Sequence, residues 1–272
     1  MGKRYDLLVV GSGVAASGVA SRVRQAGAEP VPLAIPGQEH AITNEEFLSL
    51  EATPERVVFI GGGYIAAEFS NIAALAGARV TVLQRSERML TGFDPDLVGW
   101  LMDAFRAMGI TVATGVKVEA IEGGGSQGFR VRYSAGGTSD SVAADVVVHA
   151  AGRRPAPEPR ELVPTVAFTI PPIASVGLGE AAARVACRNM RVHCRRTSGR
   201  YAARGPGEPV CGFKVLTDEA SHRILGAHLV GPGAEATINL FALAIREHLT
   251  TDALRAARFA YPTAASDISY ML

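Results

Sequence analysis

The sequence predicts an α/β protein with two Rossmann-type units, the first of them truncated, and a C-terminal α+β domain. Two successions of strand, glycine turn and helix lead to this prediction. The first runs from the apolar residues 5–10 through Gly11 and Gly13 into an alanine-rich stretch, and the second starts with the apolar residues 56–60. After residue 163 the pattern changes to short strands mixed with two helices, which is typical of an α+β domain.

Composition and charge restrict the classes of function. The chain has 272 residues, of which 48% are hydrophobic, and a formal net charge of +1. It therefore has no long-range field that would attract a nucleic acid or an acidic membrane surface. Asp6 interrupts the N-terminal apolar run, and no transmembrane run is present. Three cysteines (Cys187, Cys194 and Cys211) form no CxxC pair, which fits a reducing cytosol. We expect a cytoplasmic protein with small-molecule ligands.

The first glycine turn has the form GxGxxA. Gly11 supplies a tight turn, Gly13 lets the backbone approach a pyrophosphate, and Ala16 keeps helix and strand close. The motif alone is weak evidence, because glycine turns also serve plain strand-to-helix packing. An acidic ribose anchor is expected about twenty residues further on. Glu29 is near that spacing, but Pro30 follows it and no second strand is evident, so the unit is incomplete.

The second glycine turn belongs to a complete βαβ unit. The strand over residues 56–60 leads into Gly61, Gly63 and Ala66, and a helix and a further strand over residues 79–83 follow. The glycines stand in the strand–turn–helix context that dinucleotide binding requires. We therefore prefer dinucleotide binding to simple helix–strand packing.

The residues after this unit favour NADP(H) over NAD(H). Where a NAD-selective site places a carboxylate on the ribose hydroxyls, the chain has Gln84, with Arg85 and Arg88 just beyond. An uncharged amide beside guanidinium groups suits a 2′-phosphate, since arginine makes bidentate, charge-assisted bonds. The alternative is a solvated basic loop.

The stretch from Gly61 to Phe69 resembles the class I pyridine nucleotide-disulfide oxidoreductases, the family of glutathione, mercuric and dihydrolipoyl enzymes. Further stretches carry the same resemblance: residues 35–37 and 47–48 before the nicotinamide domain, 149–155 as its closing turn, and 164–169 with 173–178 as the opening of the dimerisation domain. Together they cover nearly the whole chain.

The resemblance implies two cofactors, FAD and a nicotinamide dinucleotide. It assigns FAD to the first glycine turn, and it assigns the nicotinamide dinucleotide to Gly61, Gly63 and Ala66, with Gly152 of the closing turn as a further cofactor-binding residue. Tyr64 resembles the family's gate over the nicotinamide face of the flavin. Glu68 resembles the carboxylate that pairs with a lysine beside the flavin; a surface carboxylate is the alternative for Glu68.

Three family features are missing from the pattern. The interval between Gln25 and Pro30 lacks the redox-active CxxxxC helix, which also carries the lysine partner of the family's glutamate. The interval between Pro155 and Leu162 lacks the second flavin motif. Near the C-terminus Tyr261 stands where the family has a histidine base. A phenol with a pKa of about 10 is a poor base near neutral pH, although it can still donate a proton.

We expect three regions along the chain: a truncated FAD-binding unit over residues 1–50, an NAD(P)-binding domain over residues 54–155 and a dimerisation domain over residues 163–272. In the second region the pattern predicts a helix over 96–108, strands over 111–118, 128–133 and 145–150, and a hairpin turn at 123–126. In the third it predicts strands around Val166, Val192, Phe213 and Leu225, with helices near Glu180 and over 234–248.

The N-terminal unit has only one clear strand and one clear helix. These two elements cannot cover each other's apolar faces or pair both edges of the strand. The N-terminal unit must therefore dock on the nicotinamide sheet or on a dimer partner.

The helix over 234–248 is expected to form a homodimer contact. It places Ile238, Phe241, Leu243 and Ile245 around much of its surface, more apolar cover than one small sheet needs. The alternative is a helix buried within its own domain.

The six histidines show no metal-ligand spacing, so no metal is predicted. Ser175 lacks a nearby histidine and acid in a nucleophile-elbow context, as does Ser266, and hydrolase chemistry is not indicated.

Two functions follow from these features. The leading hypothesis is an oxidoreductase that passes hydride from NAD(P)H to a flavin and on to an unidentified acceptor, without a cysteine relay. The second is a non-catalytic dimeric NADP(H)-binding remnant of such an enzyme.

Overall fold

A computed structural model of the chain describes residues 31–152, 162–199 and 207–272. The described residues form two compact units. Residues 31–90 and 105–152 belong to the first, and residues 91–104 and 162–272 with their gap belong to the second. The first glycine turn, with Gly11, Gly13 and Ala16, lies outside the described residues.

The first unit is built on a parallel sheet. Its elements in chain order are β1 (Ala41–Ile42), α1 (Asn44–Leu48), β2 (Arg56–Ile60), α2 (Tyr64–Leu75), β3 (Arg79–Leu83), the end of α3 (Pro95–Ala107), β4 (Thr111–Ala113), β5 (Val116–Gly123), β6 (Phe129–Ala135), β7 (Thr138–Ala144) and β8 (Val146–His149). Five strands pair in parallel in the order β1-β8-β2-β3-β4, and β5, β6 and β7 form a separate antiparallel sheet.

Strand β2 lies at the centre of the parallel sheet and is covered on both faces. Val58 and Ile60 pack with Ile121 and Val131 of the three-stranded sheet. On the other face Phe59 is fully buried, and Phe47 of α1 lies with its ring 5.7 Å from that of Phe59. A strand buried on both faces reads as a continuous apolar run, which explains the sequence signal over residues 56–60.

The predicted single strand over residues 111–118 is wrong. Gly115 adopts a φ of +66° and interrupts it, so that the two halves become β4 of the parallel sheet and β5 of the antiparallel sheet. The pattern also missed β7, because Thr138–Ala144 is mostly polar and exposed. The glycine-rich hairpin turn is confirmed between β5 and β6, where the Gly124 amide donates to the Gly128 carbonyl at 2.9 Å.

The described part of the N-terminal region adds to the parallel sheet of the first unit. Ala41 and Ile42 pair in parallel with Val147 and Val148 of β8. The Val31 amide also donates to the Gly152 carbonyl at 3.1 Å. The predicted strand and helix of the N-terminal unit lie outside the described residues, so the place where they dock stays a prediction.

The second unit is an antiparallel sheet with helices. It contains the first ten residues of α3, β9 (Thr165–Ala167), β10 (Ile173–Gly177), α4 (Glu180–Ala186), β11 (Met190–Arg196), β12 (Gly212–Asp218), β13 (Ile224–Val230), α5 (Ala234–Arg246) and α6 (Thr251–Ala256). The strand order is β11-β12-β13-β10-β9.

Helix α5 packs on one face of this sheet and corrects the expected dimer contact. Ile238 and Phe241 are fully buried in a cluster with Phe213 and Leu229. The expectation that Phe241 faces a partner is therefore wrong, because the residue belongs to the core of its own unit. Leu243, by contrast, is 52% exposed.

Candidate dinucleotide-binding site

The second glycine turn lies at the carboxyl edge of the parallel sheet. Gly61 follows β2 with a φ of +111°, and its amide donates to the Leu83 carbonyl at 2.8 Å. A Cβ at this position would lie 2.3 Å from the Ala150 carbonyl oxygen. Both the positive φ and the close backbone approach require glycine here, which fits the tight turn that the motif predicts.

Gly63 opens the space in which a ligand can lie. It is exposed and is the N-cap residue of α2, with no side-chain cap hydrogen bond among the described residues. A Cβ placed on Gly63 would meet nothing within 4 Å. The first amides of a helix lack intrahelical partners and carry the positive end of the helix dipole. This end of α2 therefore fits a pyrophosphate group.

Ala66 completes the motif by closing the helix onto the sheet. Its side chain is fully buried, like that of Ala67 beside it. A larger residue at this point would push α2 away from β2 and move the amides at its start. The three motif residues thus have distinct physical roles: Gly61 turns the chain, Gly63 leaves room, and Ala66 sets the distance between helix and strand.

Gln84 lies beside the glycine turn. A Cβ on Gly62 would come within 2.9 Å of the Gln84 side chain, so the two positions are in contact. The Gln84 amide group donates to the Arg88 carbonyl at 3.2 Å and closes the loop after β3. Arg85 is exposed and Arg88 is half-buried. The structure thus brings Gln84 to the turn and places Arg85 at the surface of the same loop.

Gly152 follows β8 at the same edge of the sheet as Gly61. The Ala150 amide donates to the Ile60 carbonyl at 2.8 Å, which holds the two strand ends side by side. Gly152 is exposed and has a φ of +110°. Next to it, His149 Nε2 lies 2.7 Å from the Val31 carbonyl. The carboxyl edge of a parallel sheet is where ligands bind in folds of this kind.

Tyr64 and Glu68 lie one turn apart on α2. Tyr64, at the first turn, is 42% exposed, whereas Glu68 is 5% exposed. The alternative that Glu68 is a surface carboxylate is therefore wrong. A buried carboxylate is costly unless it is paired or hydrogen-bonded, and Glu68 does have such an interaction.

Tyr261 lies in the second unit and is 83% exposed.

The second unit also contains a contact that the sequence did not indicate. Ser175 Oγ is hydrogen-bonded to Nδ1 of the buried His228. Burial lowers the pKa of His228. The other ring nitrogen lies 3.2 Å from the Leu178 carbonyl. Because that nitrogen meets a carbonyl and not a carboxylate, the pair does not form a catalytic triad.

A buried lysine is the other feature that the sequence did not indicate. Lys214 is 2% exposed, and its Nζ lies 2.9 Å from Asp94, 2.6 Å from Asp96 and 3.0 Å from Glu180. Burial opposes its charge, but the hydrogen bonds to these carboxylates outweigh burial and raise the pKa of Lys214. No spacing rule links residues that lie up to 118 positions apart.

The described residues provide neither a metal site nor a membrane-spanning helix. Among residues 31–152, 162–199 and 207–272, no group of three histidine, cysteine, aspartate or glutamate side chains is placed to hold a metal ion. In the same part of the chain no helix combines the length and apolar character that crossing a bilayer requires.

The parallel sheet, the glycine turn at its carboxyl edge and the open start of α2 define an α/β protein of the Rossmann type with an additional antiparallel unit. The family described as pyridine nucleotide-disulphide oxidoreductase matches residues 26–165, and its dimerisation domain matches residues 163–271. The chain belongs to this family, which confirms the resemblance seen in the sequence. Members of the family are flavoprotein oxidoreductases that bind FAD and NAD(P).

Several relatives match this chain over part of their own length. A glutathione reductase of Burkholderia cepacia is 27% identical over 306 residues, covering 89% of this chain and 67% of the relative. A mercuric reductase of Bacillus cereus is 26% identical, covering 89% of this chain and 49% of the relative. An uncharacterized 19.7 kDa protein in a mercuric resistance operon of Staphylococcus aureus is 43% identical over 111 residues, 41% of this chain and 62% of the relative. The chain thus spans about half to two thirds of these relatives.

The fold has a counterpart among solved structures. The HOCl-induced flavoprotein disulfide reductase RclA of Escherichia coli matches with a TM-score of 0.80 at 21% identity, covering 90% of this chain and 71% of that chain. At this identity the match supports the fold alone.

Proposed function

We propose that the protein is an FAD- and NAD(P)H-dependent oxidoreductase that passes hydride from NAD(P)H to a flavin and on to an acceptor, without a redox-active cysteine pair. The observation that supports this most is the glycine turn at Gly61–Gly63. Only glycine fits at Gly61, and a side chain at the exposed position of Gly63 would meet no neighbour. Family membership supports the reaction class.

The chain's own residues would hold the nicotinamide dinucleotide. The amides at the start of α2 and the open space at Gly63 would take the pyrophosphate, with Gly61 and Ala66 fixing their position and Gly152 lining the neighbouring strand end. Arg85 and Arg88 would meet the 2′-phosphate beside Gln84. When bound, the nicotinamide supplies the hydride. The first glycine turn, with Gly11, Gly13 and Ala16, is proposed for FAD.

Tyr64 and Glu68 are proposed to act next to the nicotinamide. Tyr64 lies at the open end of α2, where an exposed aromatic ring can cover or uncover a bound cofactor. Glu68 lies one turn further along and is buried, and its carboxylate would orient polar groups beside the bound cofactor. In a dimer, Tyr261 would act in trans as a proton donor to the acceptor, since a phenol hydroxyl can donate a proton or a hydrogen bond.

The cysteines support a reaction without a thiol relay. Cys187, Cys194 and Cys211 all belong to the second unit. Desolvation of the sulfur raises the pKa of each thiol above its usual value. A raised pKa leaves little thiolate near neutral pH, and the thiolate is the reactive form. The proposed acceptor is therefore one that takes electrons directly from a flavin.

The flavin itself gives the first test of this proposal. The purified protein should be yellow, with an absorption band near about 450 nm that NADPH bleaches under anaerobic conditions. A colourless protein that still binds NADPH would favour the second candidate, a non-catalytic dimeric NADP(H)-binding remnant. A protein that binds neither cofactor would contradict both.

The cofactor preference should depend on the loop after β3. We expect NADPH to bind about tenfold or more tightly than NADH, because Arg85 offers charge-assisted bonds to a 2′-phosphate. Replacing Gln84 by glutamate together with Arg85→Ala should reverse the order, since the pair of changes removes a phosphate partner and adds a ribose acceptor. Calorimetric titration with both nucleotides measures the effect, and Arg130→Ala serves as an exposed-arginine control. An unchanged preference would reject this loop as the determinant.

We also propose that the protein is a cytoplasmic homodimer and that the two copies associate through their second units. Leu243 is 52% exposed on α5 although the helix buries Ile238 and Phe241 inside the same unit. Leu243→Asp should therefore split the dimer and leave the fold intact, because a charge in a desolvated contact costs several kcal/mol. Phe241→Asp should instead unfold the unit. Light scattering and circular dichroism distinguish the two results, and a dimeric Leu243→Asp variant would exclude this part of α5 from the interface.

A further inference from the structure

We propose that the outer edge of strand β11 binds an extended acidic polypeptide segment as an added antiparallel or parallel strand. β11 stands at the end of the strand order β11-β12-β13-β10-β9. Within residues 162–199 and 207–272 no strand pairs with its far side. An end strand presents a row of backbone donors and acceptors that another strand can use.

The register shows which backbone groups point outward. The Thr197 amide donates to the Cys211 carbonyl at 2.7 Å, and the Glu219 amide donates to the Asn189 carbonyl at 2.9 Å. Since neighbouring residues of an antiparallel strand alternate in direction, the odd-numbered residues of β11 face β12. Val192 and Cys194 therefore direct their amide and carbonyl groups away from the sheet. The pairing of β11 with β12 is regular over all seven residues, so this alternation is continuous.

β11 and the residues just before it carry more positive than negative side chains. Residues 181–199 include five arginines and one histidine, but no aspartate or glutamate: Arg184, Arg188, Arg191, His193, Arg195 and Arg196. Arg184 pairs with Glu180 at 2.5 Å and Arg191 pairs with Glu219 at 3.3 Å. Arg196 pairs with Asp103 at 2.9 Å and lies over Trp100. Arg188 and Arg195 are exposed and have no ion pair in the described part of the chain. The edge thus retains positive charge that its own unit does not neutralise.

These features select a polypeptide rather than another polyanion. A phosphate chain offers hydrogen-bond acceptors only, so it leaves the outward carbonyls of Val192 and Cys194 unpaired. A polypeptide strand offers donors and acceptors at the same two-residue repeat. A second copy of β11 is disfavoured, because arginines would face arginines across the new pair. The same charge attracts a strand that carries carboxylates on one face.

The experiment uses the full chain and a fluorescein-labelled peptide of alternating valine and glutamate, as long as β11, which is seven residues. Fluorescence anisotropy should show saturable binding, and Arg195→Glu should weaken it about tenfold. Lys117→Glu makes the same change of charge at an exposed lysine of the other unit and should leave the binding unchanged. The same peptide with lysine in place of glutamate should not bind.

A second measurement tests the backbone pairing. Two peptides are compared, one with methyl groups on the amide nitrogens of its odd-numbered residues and one with them on its even-numbered residues. The peptide whose methylated amides face β11 should not bind, and the other should bind as the unmodified peptide does. Equal binding of the two methylated peptides would reject strand addition. Equal loss in Arg195→Glu and Lys117→Glu, or full displacement of the peptide by inorganic polyphosphate, would show attraction of any polyanion and overturn the proposal. The absence of saturable binding would overturn it as well.

Discussion

Replacing Lys214 with methionine should lower the free energy of unfolding by about 3–5 kcal/mol, because it leaves buried carboxylates without their counter-ion. The ammonium group lies within 3.0 Å of three carboxylates, and the lysine and Asp94 side chains are 2% and 1% exposed. Methionine fills a similar volume but carries no charge. The buried Asp94 would then lose its counter-ion, which costs far more than losing an exposed ion pair.

Lys117→Met is the matched control for this effect. Lys117 is an exposed residue of β5, and it forms no ion pair in the described part of the chain. Its replacement should change the free energy of unfolding by less than about 0.5 kcal/mol. Urea unfolding of both variants measures the difference. If the two substitutions had similar effects, the carboxylates around Lys214 would not depend on its charge for their stability.

The pH dependence of the Lys214→Met defect gives an independent check. The hydrogen bond from Lys214, followed by that from Arg184, lowers the pKa of Glu180. A lowered folded-state pKa stabilises the protein above the unfolded value of about 4.3, and this stability is lost as the pH falls through the folded pKa. In the variant Glu180 lacks the hydrogen bond from the lysine and protonates more readily. The gap between wild type and variant should therefore stay constant from pH 7 to about 5, and narrow as the pH falls below about 4.3 towards the lowered folded pKa of Glu180.

Local features of the fold were predictable from the sequence, because their causes lie within a few residues. The turn at Gly61 and the helix after it follow from a glycine pattern between a buried strand and an alanine-rich stretch. The loop with Gln84 follows in the same way, from its position at the end of the next strand. These residues carry the proposed site, and the structure brings them to one edge of the sheet.

Contacts made by distant strands were not predictable in this way. Ser175 meets His228 across a pair of strands 53 residues apart, and Lys214 meets Asp96 across 118 residues. Such contacts depend on strand order and register, which hydrophobic periodicity does not specify. The burial of Phe241 belongs to the same class, because the apolar residues of α5 do not show by themselves which face meets the sheet and which meets solvent.

The largest effect on ligand binding should come from a carboxylate at Gly63. Gly63→Asp should weaken NADPH binding at least about a hundredfold, since a negative charge at the start of α2 would stand where the pyrophosphate is proposed to lie. The protein itself should not suffer. The position has room for a side chain, its φ of −86° suits any residue, and aspartate is a favourable N-cap residue.

Two comparison variants separate charge, bulk and fold. Asparagine has nearly the shape of aspartate but no charge, so Gly63→Asn should weaken NADPH binding less than Gly63→Asp. The difference in NADPH affinity between the two variants then measures how strongly the added charge repels the bound ligand. Gly61→Ala should behave in the opposite way, lowering the free energy of unfolding by about 2 kcal/mol or more, because its Cβ would lie 2.3 Å from the Ala150 carbonyl oxygen at a positive φ. Thermal melts and calorimetric NADPH titrations of the three variants measure both properties. Tight NADPH binding by a folded Gly63→Asp protein would place the dinucleotide away from α2.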